Sequence, residues 1–170
     1  LASVRPWEIH DHVTALALMQ AYEAPYSSPP DGSAPRPELF SEPLRQEGSP
    51  LVLTAPVRPG ALFSDGSPCS AAAVAASLAR VRDLTERAEV RAREGRVEFR
   101  LKAPDPNFAT VLTQPFFGVA LEKGGAFLGT GPFLPPEPLE GADPIRADKV
   151  LLRPNPNASK APALGGVLFE

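Results

Sequence analysis

Cysteine is nearly absent: Cys69 is the only one among 170 residues. An internal disulfide framework and a cysteine zinc cluster are therefore excluded. Histidine is almost as scarce, with His10 and His12 alone. Long hydrophobic runs are missing as well. The longest nearly apolar stretch, Ala71–Ala79, has nine residues and is interrupted by Ser77, against the roughly 20 that a membrane-spanning helix needs. Neither sign of charge prevails: 17 Lys and Arg stand against 20 Asp and Glu, a net charge of −3. Phosphate affinity comes from clustered Lys and Arg, so general nucleic-acid binding is disfavoured. The one basic stretch, Leu78–Lys102, holds eight basic and five acidic residues. Its mixed signs favour a solvated face over a binding patch. The chain begins at Leu1 without a charged-then-apolar signal segment, and a removed leader or a cut chain is the expectation.

What is abundant is proline and glycine. The 22 Pro and 13 Gly make 35 of 170 residues, below the roughly 25–30% of low-complexity disorder. Leu, Ile, Val and Phe number 20, 2, 12 and 9, about a quarter of the chain and above the ~20% floor under which chains stay unfolded. These proportions predict a folded, loop-rich, single unit spanning residues 1–170.

The residue pattern predicts a helix over 12–24, capped by Asp11 and stopped by Pro25. Residues 27–37, with the turn pair Asp31-Gly32, read as a loop, followed by a short extended piece from Leu39 to Leu44. Leu51–Arg58 reads as a strand, with Pro56 suggesting an edge or a bulge. Ser70 caps a predicted helix of about 17 residues over 71–87, whose Val74, Leu78, Val81 and Leu84 share a face. Residues 89–94 and 96–102 form a predicted hairpin around Gly95. In it Val97, Phe99 and Leu101 face inward and Glu98 and Arg100 face water. Asp105-Pro106 starts a short helix over 107–114. Phe116–Leu121 reads as a buried strand, and Phe133–Leu139, Lys149–Arg153 and Val167–Glu170 as further strands. The class is α+β, a mixed short-stranded sheet with about three helices.

No reaction chemistry stands out. His10 and His12 would point the same way on a strand and could share an ion, but no further histidine exists, and solvated terminal histidines are the favoured reading. Cys69 has only those distant histidines as partners, which favours a packed thiol over a nucleophile. Gly-x-Ser-x-Gly does not occur, and Gly129–Pro132 has no Lys-Ser/Thr after it, so it is not a phosphate loop. No spacing singles out a carboxylate pair. An enzyme is not expected, nor is a metal or a cofactor. Trp7 suits an interface and a core equally.

Four segments, in order, carry a resemblance. They are FSDGSPCSAAAVAASL over 63–78, VEFRLKAPDPNF over 97–108 running on to Leu112 and Pro115-Phe116, GTGPF over 129–133, and VLLRPNP over 150–156. With YEAP at 22–25, the set resembles the extracytoplasmic solute-binding proteins of ABC importers, of the peptide/nickel (oligopeptide-binding) type. One departure is Ala73, where that family usually has Asp. The resemblance implies part of one lobe of a periplasmic-binding-protein type II-like fold, namely the N-terminal part of lobe I, with the second lobe absent. It implies non-covalent capture of a peptide-like solute and delivery to ABC permease subunits. The implied location is periplasmic or extracytoplasmic, in a form either lipid-anchored through a removed N-terminal segment or soluble and exported. A second lobe or partner protein would cover the exposed lobe face, which also invites self-association. The alternative is a stand-alone structural or protein-interaction module derived from the same fold, without transport.

By the same resemblance, the segment holding Tyr22, Glu23 and Tyr26 lines a ligand cleft. The plainer reading packs Tyr22 in the core and leaves Glu23 solvated. Phe116 and Phe117 are adjacent, so on a strand one would face in, and the other could touch a ligand or the second lobe.

Overall fold

A computed structural model describes residues 5–9, 12–136 and 150–169. The first long element is helix α1, His12–Ala21. It ends three residues before the predicted limit for a definite reason. The carbonyls of Gln20 and Ala21 accept from Phe133 and Gly131, at 3.0 and 2.9 Å, instead of from another helical turn. The expected Asp11 cap lies outside the described residues. Strands β1, Tyr26–Ser27, and β2, Arg36–Pro37, pair across the predicted loop. Its tip turns at Gly32 with a φ of +71°, and Asp31 accepts from the Ser33 amide at 3.0 Å.

Next come β3, Arg45–Glu47, and β4, Ser49–Pro56. Helix α2, Ala71–Leu78, starts as predicted, with the Ser70 hydroxyl accepting from the Ala73 amide at 3.2 Å. The single helix expected over 71–87 is instead two. After Leu78 the bonds tighten, with Arg80 N–H to Ser77 and Val81 N–H to Leu78, and Val81 becomes extended before α3, Arg82–Arg87. Neither Gly nor Pro marks this break; tertiary packing decides it. It buries both Val81 and Leu84 and delivers the chain to the sheet, where the Lys102 amide bonds Arg87 at 2.9 Å.

The hairpin of β5, Ala88–Arg93, and β6, Arg96–Leu101, forms as predicted. Glu94 and Gly95 both take positive φ, +52° and +75°, the two-residue turn whose twist suits a hairpin. The sheet order is β3-β4-β6-β5, all antiparallel. Strand β4 is therefore interior, contrary to the edge that Pro56 suggested. Pro56 is tolerated because it is the last residue of the strand, and the register shift lies on β3, between Gln46 and Glu47.

One sheet face carries Ala55, Val97, Phe99 and Leu101 into the core against α2. A chain of edge-on rings, Tyr26–Phe40–Phe99–Phe108, runs through it with centroids 5.5, 6.2 and 5.3 Å apart. The other face corrects the expectation for Glu98. Its side chain is only 2% exposed, roofed by Arg91, Arg93 and Arg100. Their long stems cover what a short side chain would leave wet.

Helix α4, Phe108–Val111, is shorter than predicted; Asp105 turns the chain ahead of it by accepting from the Asn107 amide at 2.9 Å, and Asn107 at the N-cap makes no side-chain cap bond. The strand expected at Phe116 is replaced by a 3-10 turn over Pro115–Phe117, with Gly118 N–H closing on Pro115 at 3.0 Å. Proline with its preset φ starts this turn more readily than a strand interior. Strands β7, Leu121–Lys123, and β8, Ala126–Leu128, form a hairpin, and β9, Val150–Leu152, pairs with β10, Val167–Phe169. The strand predicted at 133–139 is a single bridge, Phe133 to Pro154, and its far end lies outside the described residues. Splitting the long helix thus accounts for four α-helices among the described residues where about three were expected.

Candidate functional site

The site is built where α1 ends. The GTGPF loop crosses the helix terminus and donates Gly131 N–H to Ala21 and Phe133 N–H to Gln20. The approach is too close for side chains. A Cβ at Gly129 would collide with the Ala21 carbonyl, and one at Gly131 would lie 2.5 Å from the Gln20 oxygen. Both glycines are thus required by backbone contact, and Thr130 is held between them. The VLLRPNP segment braces the loop, since Asn155 Nδ2 donates to the Gly131 carbonyl at 2.8 Å. Asn157 Nδ2 reaches Ser64 in the FSDG turn at 3.0 Å. Three of the motifs seen in sequence therefore meet at one corner of the fold.

A cavity of about 330 Å³ opens at that corner, lined by Tyr22, Glu23 and Tyr26 together with Met19, Thr130 and Lys160. Tyr22 is 2% exposed and Tyr26 is 1% exposed. The Tyr26 hydroxyl donates to the Glu42 carbonyl at 2.9 Å, whereas the Tyr22 hydroxyl has no partner. Burial pushes the pKa of both hydroxyls up, so both are neutral near pH 7.

Glu23 is not solvated, in contrast to the plainer sequence reading. It is buried and paired with Arg58, whose Nη2 lies 2.9 Å from Oε2 and Nη1 3.2 Å from Oε1. Arg58 Nη1 also donates to the Glu38 carbonyl at 2.5 Å, and Lys160 donates to the Glu38 carboxylate at 3.3 Å. Burying the carboxylate is sustained by this fork geometry.

Phe116 and Phe117 do not line the cavity. Phe117 is fully buried and Phe116 packs beside the core, their centroids 4.6 Å apart on the 3-10 turn. Trp7 lies half-buried, edge-on to Phe127 at 5.9 Å, with the Arg80 guanidinium 5.2 Å above its ring. Sequence reasoning missed Thr130 and Arg58. Thr130 was hidden inside a motif read as structural, and Arg58 had the bearing of an ordinary strand terminus.

Cys69 is buried, and its pKa is pushed up to about 12, chiefly by burial, with Glu23 adding and Arg58 opposing. A protonated, enclosed thiol is a poor nucleophile. Among the described residues no three His, Cys, Asp or Glu side chains come together to hold a metal ion. His10 and the side chain of His12 lie outside what the structure describes. A further groove of about 360 Å³ lies on the outer sheet face, lined by Arg93, Arg96 and Arg100 around Glu98.

The fold is that of part of a type II solute-binding protein. The whole chain superposes on the peptide-binding pheromone receptor PrgZ with a TM-score of 0.85, at 18% identity, covering 41% of that chain. It likewise matches peptide-bound OppA of Listeria monocytogenes with a TM-score of 0.81 at 17% identity, again over all of this chain and 40% of that one. NikA of Staphylococcus aureus, in complex with Ni(L-His)2, matches with a TM-score of 0.77 at 16% identity, over 99% of this chain and 36% of that one. The chain thus spans well under half of these structures. A family model matches residues 34–170, and the chain belongs to the bacterial extracellular solute-binding proteins, family 5 Middle. No match was found among curated protein sequences.

Proposed function

We propose that the chain is the N-terminal part of the first lobe of a solute-binding component of an ABC importer, and that the cavity at the end of α1 is part of its ligand wall. The observation that carries this reading is the meeting of Tyr22, Glu23 and Tyr26 on one cavity, in a chain of this family. The ligands of its structural neighbours are a peptide, in OppA, and a nickel–histidine complex, in NikA. A peptide-like solute suits this wall better than a metal complex, because aromatic rings and hydroxyls line it and no cluster of metal ligands occurs among the described residues. The chemistry is non-covalent. A facing lobe, from elsewhere in the gene product or from a partner, closes over the solute, because such sites enclose most of their ligand. Delivery to permease subunits follows outside the cytoplasmic membrane, with a lipid anchor keeping the protein near them.

Isothermal titration of the full-length gene product with short peptides tests this. Binding is expected, and Ser28→Trp, an exposed change at the cavity rim, is expected to weaken it by at least about tenfold through steric blockage. Unaltered binding in that variant contradicts the placement. A second reading, a stand-alone interaction module, is favoured by the exposed Leu16, Met19, Leu151 and Leu164. It predicts self-association and no solute binding.

A further inference from the structure

Three charged side chains line the cavity at the end of α1: Glu23, Glu38 and Lys160. They are not equally engaged. Glu23 is buried and gripped by the Arg58 fork. Glu38 is fixed through its backbone, whose amide donates to the Pro25 carbonyl at 3.1 Å and whose carbonyl accepts from Arg58. Its carboxylate, by contrast, has one partner, the Lys160 ammonium, which donates to Oε1 at 3.3 Å. Ammonium–carboxylate bonds usually close to about 2.7–2.9 Å, so this one is loose. The second oxygen, Oε2, makes no hydrogen bond. Among the described residues, the buried side-chain polar atoms without a partner are Tyr22 OH, Arg58 Nε, Arg96 Nη2 and Thr130 Oγ1. Glu38 Oε2 is not one of them, so it is open to solvent. Lys160 is the movable member of the pair. Its side chain is 77% exposed, against 28% for Glu38. It stands in an exposed stretch, 159–161, beyond the point where Asn155 and Asn157 tie the segment down. An exposed lysine that leaves such a pair returns to water with little loss.

Resting on the ligand-wall reading, we propose that Glu38 is a cation seat in this wall, and that Lys160 occupies it only until the solute brings an ammonium or guanidinium group of its own. The exchange replaces one cation by another, so Glu38 stays paired and Lys160 goes to solvent. A solute carboxylate has no equivalent exchange. It would draw Lys160 away and leave a half-buried carboxylate without a cation, on a cavity that Glu23 also lines. The seat therefore selects for positive groups, α-amino or side-chain, and against negative ones.

The test titrates the full-length gene product, its Glu38→Gln variant and its Lys160→Ala variant. Four probes are used: tetra-alanine, N-acetyl tetra-alanine, and N-acetyl tetrapeptides with one Lys or one Glu among alanines. Acetylation separates an α-amino cation from a side-chain one. At least one cation-bearing probe is expected to bind the parent about tenfold more tightly than N-acetyl tetra-alanine, and the Glu probe no more tightly than it. Glu38→Gln is expected to erase that preference and to leave N-acetyl tetra-alanine binding as in the parent. Lys160→Ala is expected to strengthen the preferred probe by about two- to fivefold, because the internal competitor is gone. A pair that only braces the fold gives lower melting temperatures in both variants with unchanged preferences, and that result overturns the seat. So does a preference that survives Glu38→Gln, a Lys160→Ala variant that does not bind the cation-bearing probe more tightly than the parent, or a parent that favours the Glu probe. Each of these leaves the ligand-wall reading intact while a probe still binds. Absence of binding by every probe overturns the ligand-wall reading, and the seat with it.

Discussion

Two buried glutamates show how differently one sequence can use the same pairing chemistry. Glu98 sits on the outer sheet face beneath Arg91, Arg93 and Arg100, whose side chains are 48%, 56% and 45% exposed. Glu23 sits at the cavity with one close partner, Arg58, itself 21% exposed. On the sheet the acid is buried and its bases are wet. At the cavity both members are withdrawn from solvent. The cost of breaking a pair depends on which charge is left buried, so the two clusters separate under mutation.

The largest effect is expected from Arg58→Ala. It strands Glu23 and also removes the donor to the Glu38 carbonyl. A loss of about 3 kcal/mol is expected in denaturant unfolding of the full-length product. Glu23→Gln in the same background is expected to recover much of it, because no buried charge is then unpaired. Next is Gly129→Ala, whose Cβ meets the backbone at Ala21. About 1–3 kcal/mol is expected, since backbone cannot step aside as a flexible side chain does. Glu98→Gln is expected to cost only about 1 kcal/mol, because the three arginines it releases already reach water.

The acid response of Glu98 sharpens the contrast further. Burial acts to raise its pKa, but the hydrogen bonds and charges of Arg100 and Arg91 outweigh it and hold the carboxyl below its ordinary value. Its stabilising contribution is therefore complete above the unfolded value of about 4.3 and is lost as pH falls through the lower folded value. Stability measured against pH should fall less steeply on the acid side in Glu98→Gln than in the parent. The smallest effect concerns Cys69. With its pKa near 12, alkylation at neutral pH should be slower than in the denatured chain by about tenfold or more.

The legible part of the fold was local. Ser70 as a cap, Gly95 as a turn and the alternation of Val97, Phe99 and Leu101 each act through neighbours in sequence, and each appears in the structure as read. What could not be read depended on distant contacts. The chain breaks at Ala79–Val81 without Gly or Pro because Leu84 must reach the core and Arg87 must meet Lys102. Glu98 was expected to be wet because alternation says nothing about arginines arching over it from β5 and β6. At the site, YEAP was legible by resemblance. The partner of Glu23 lies 35 residues away, beyond the reach of any local pattern. The reason for two glycines around Thr130 became visible only when the loop lay against the end of α1.

Hydrogen exchange of the full-length gene product with and without a bound short peptide tests the central claim most directly. The two grooves, one at the end of α1 and one on the outer sheet face, compete in a single experiment. The account predicts ligand-induced protection at residues 22–28 and 129–131, with 91–100 unchanged. Protection confined to 91–100, or absent from both while peptide is bound, would contradict it.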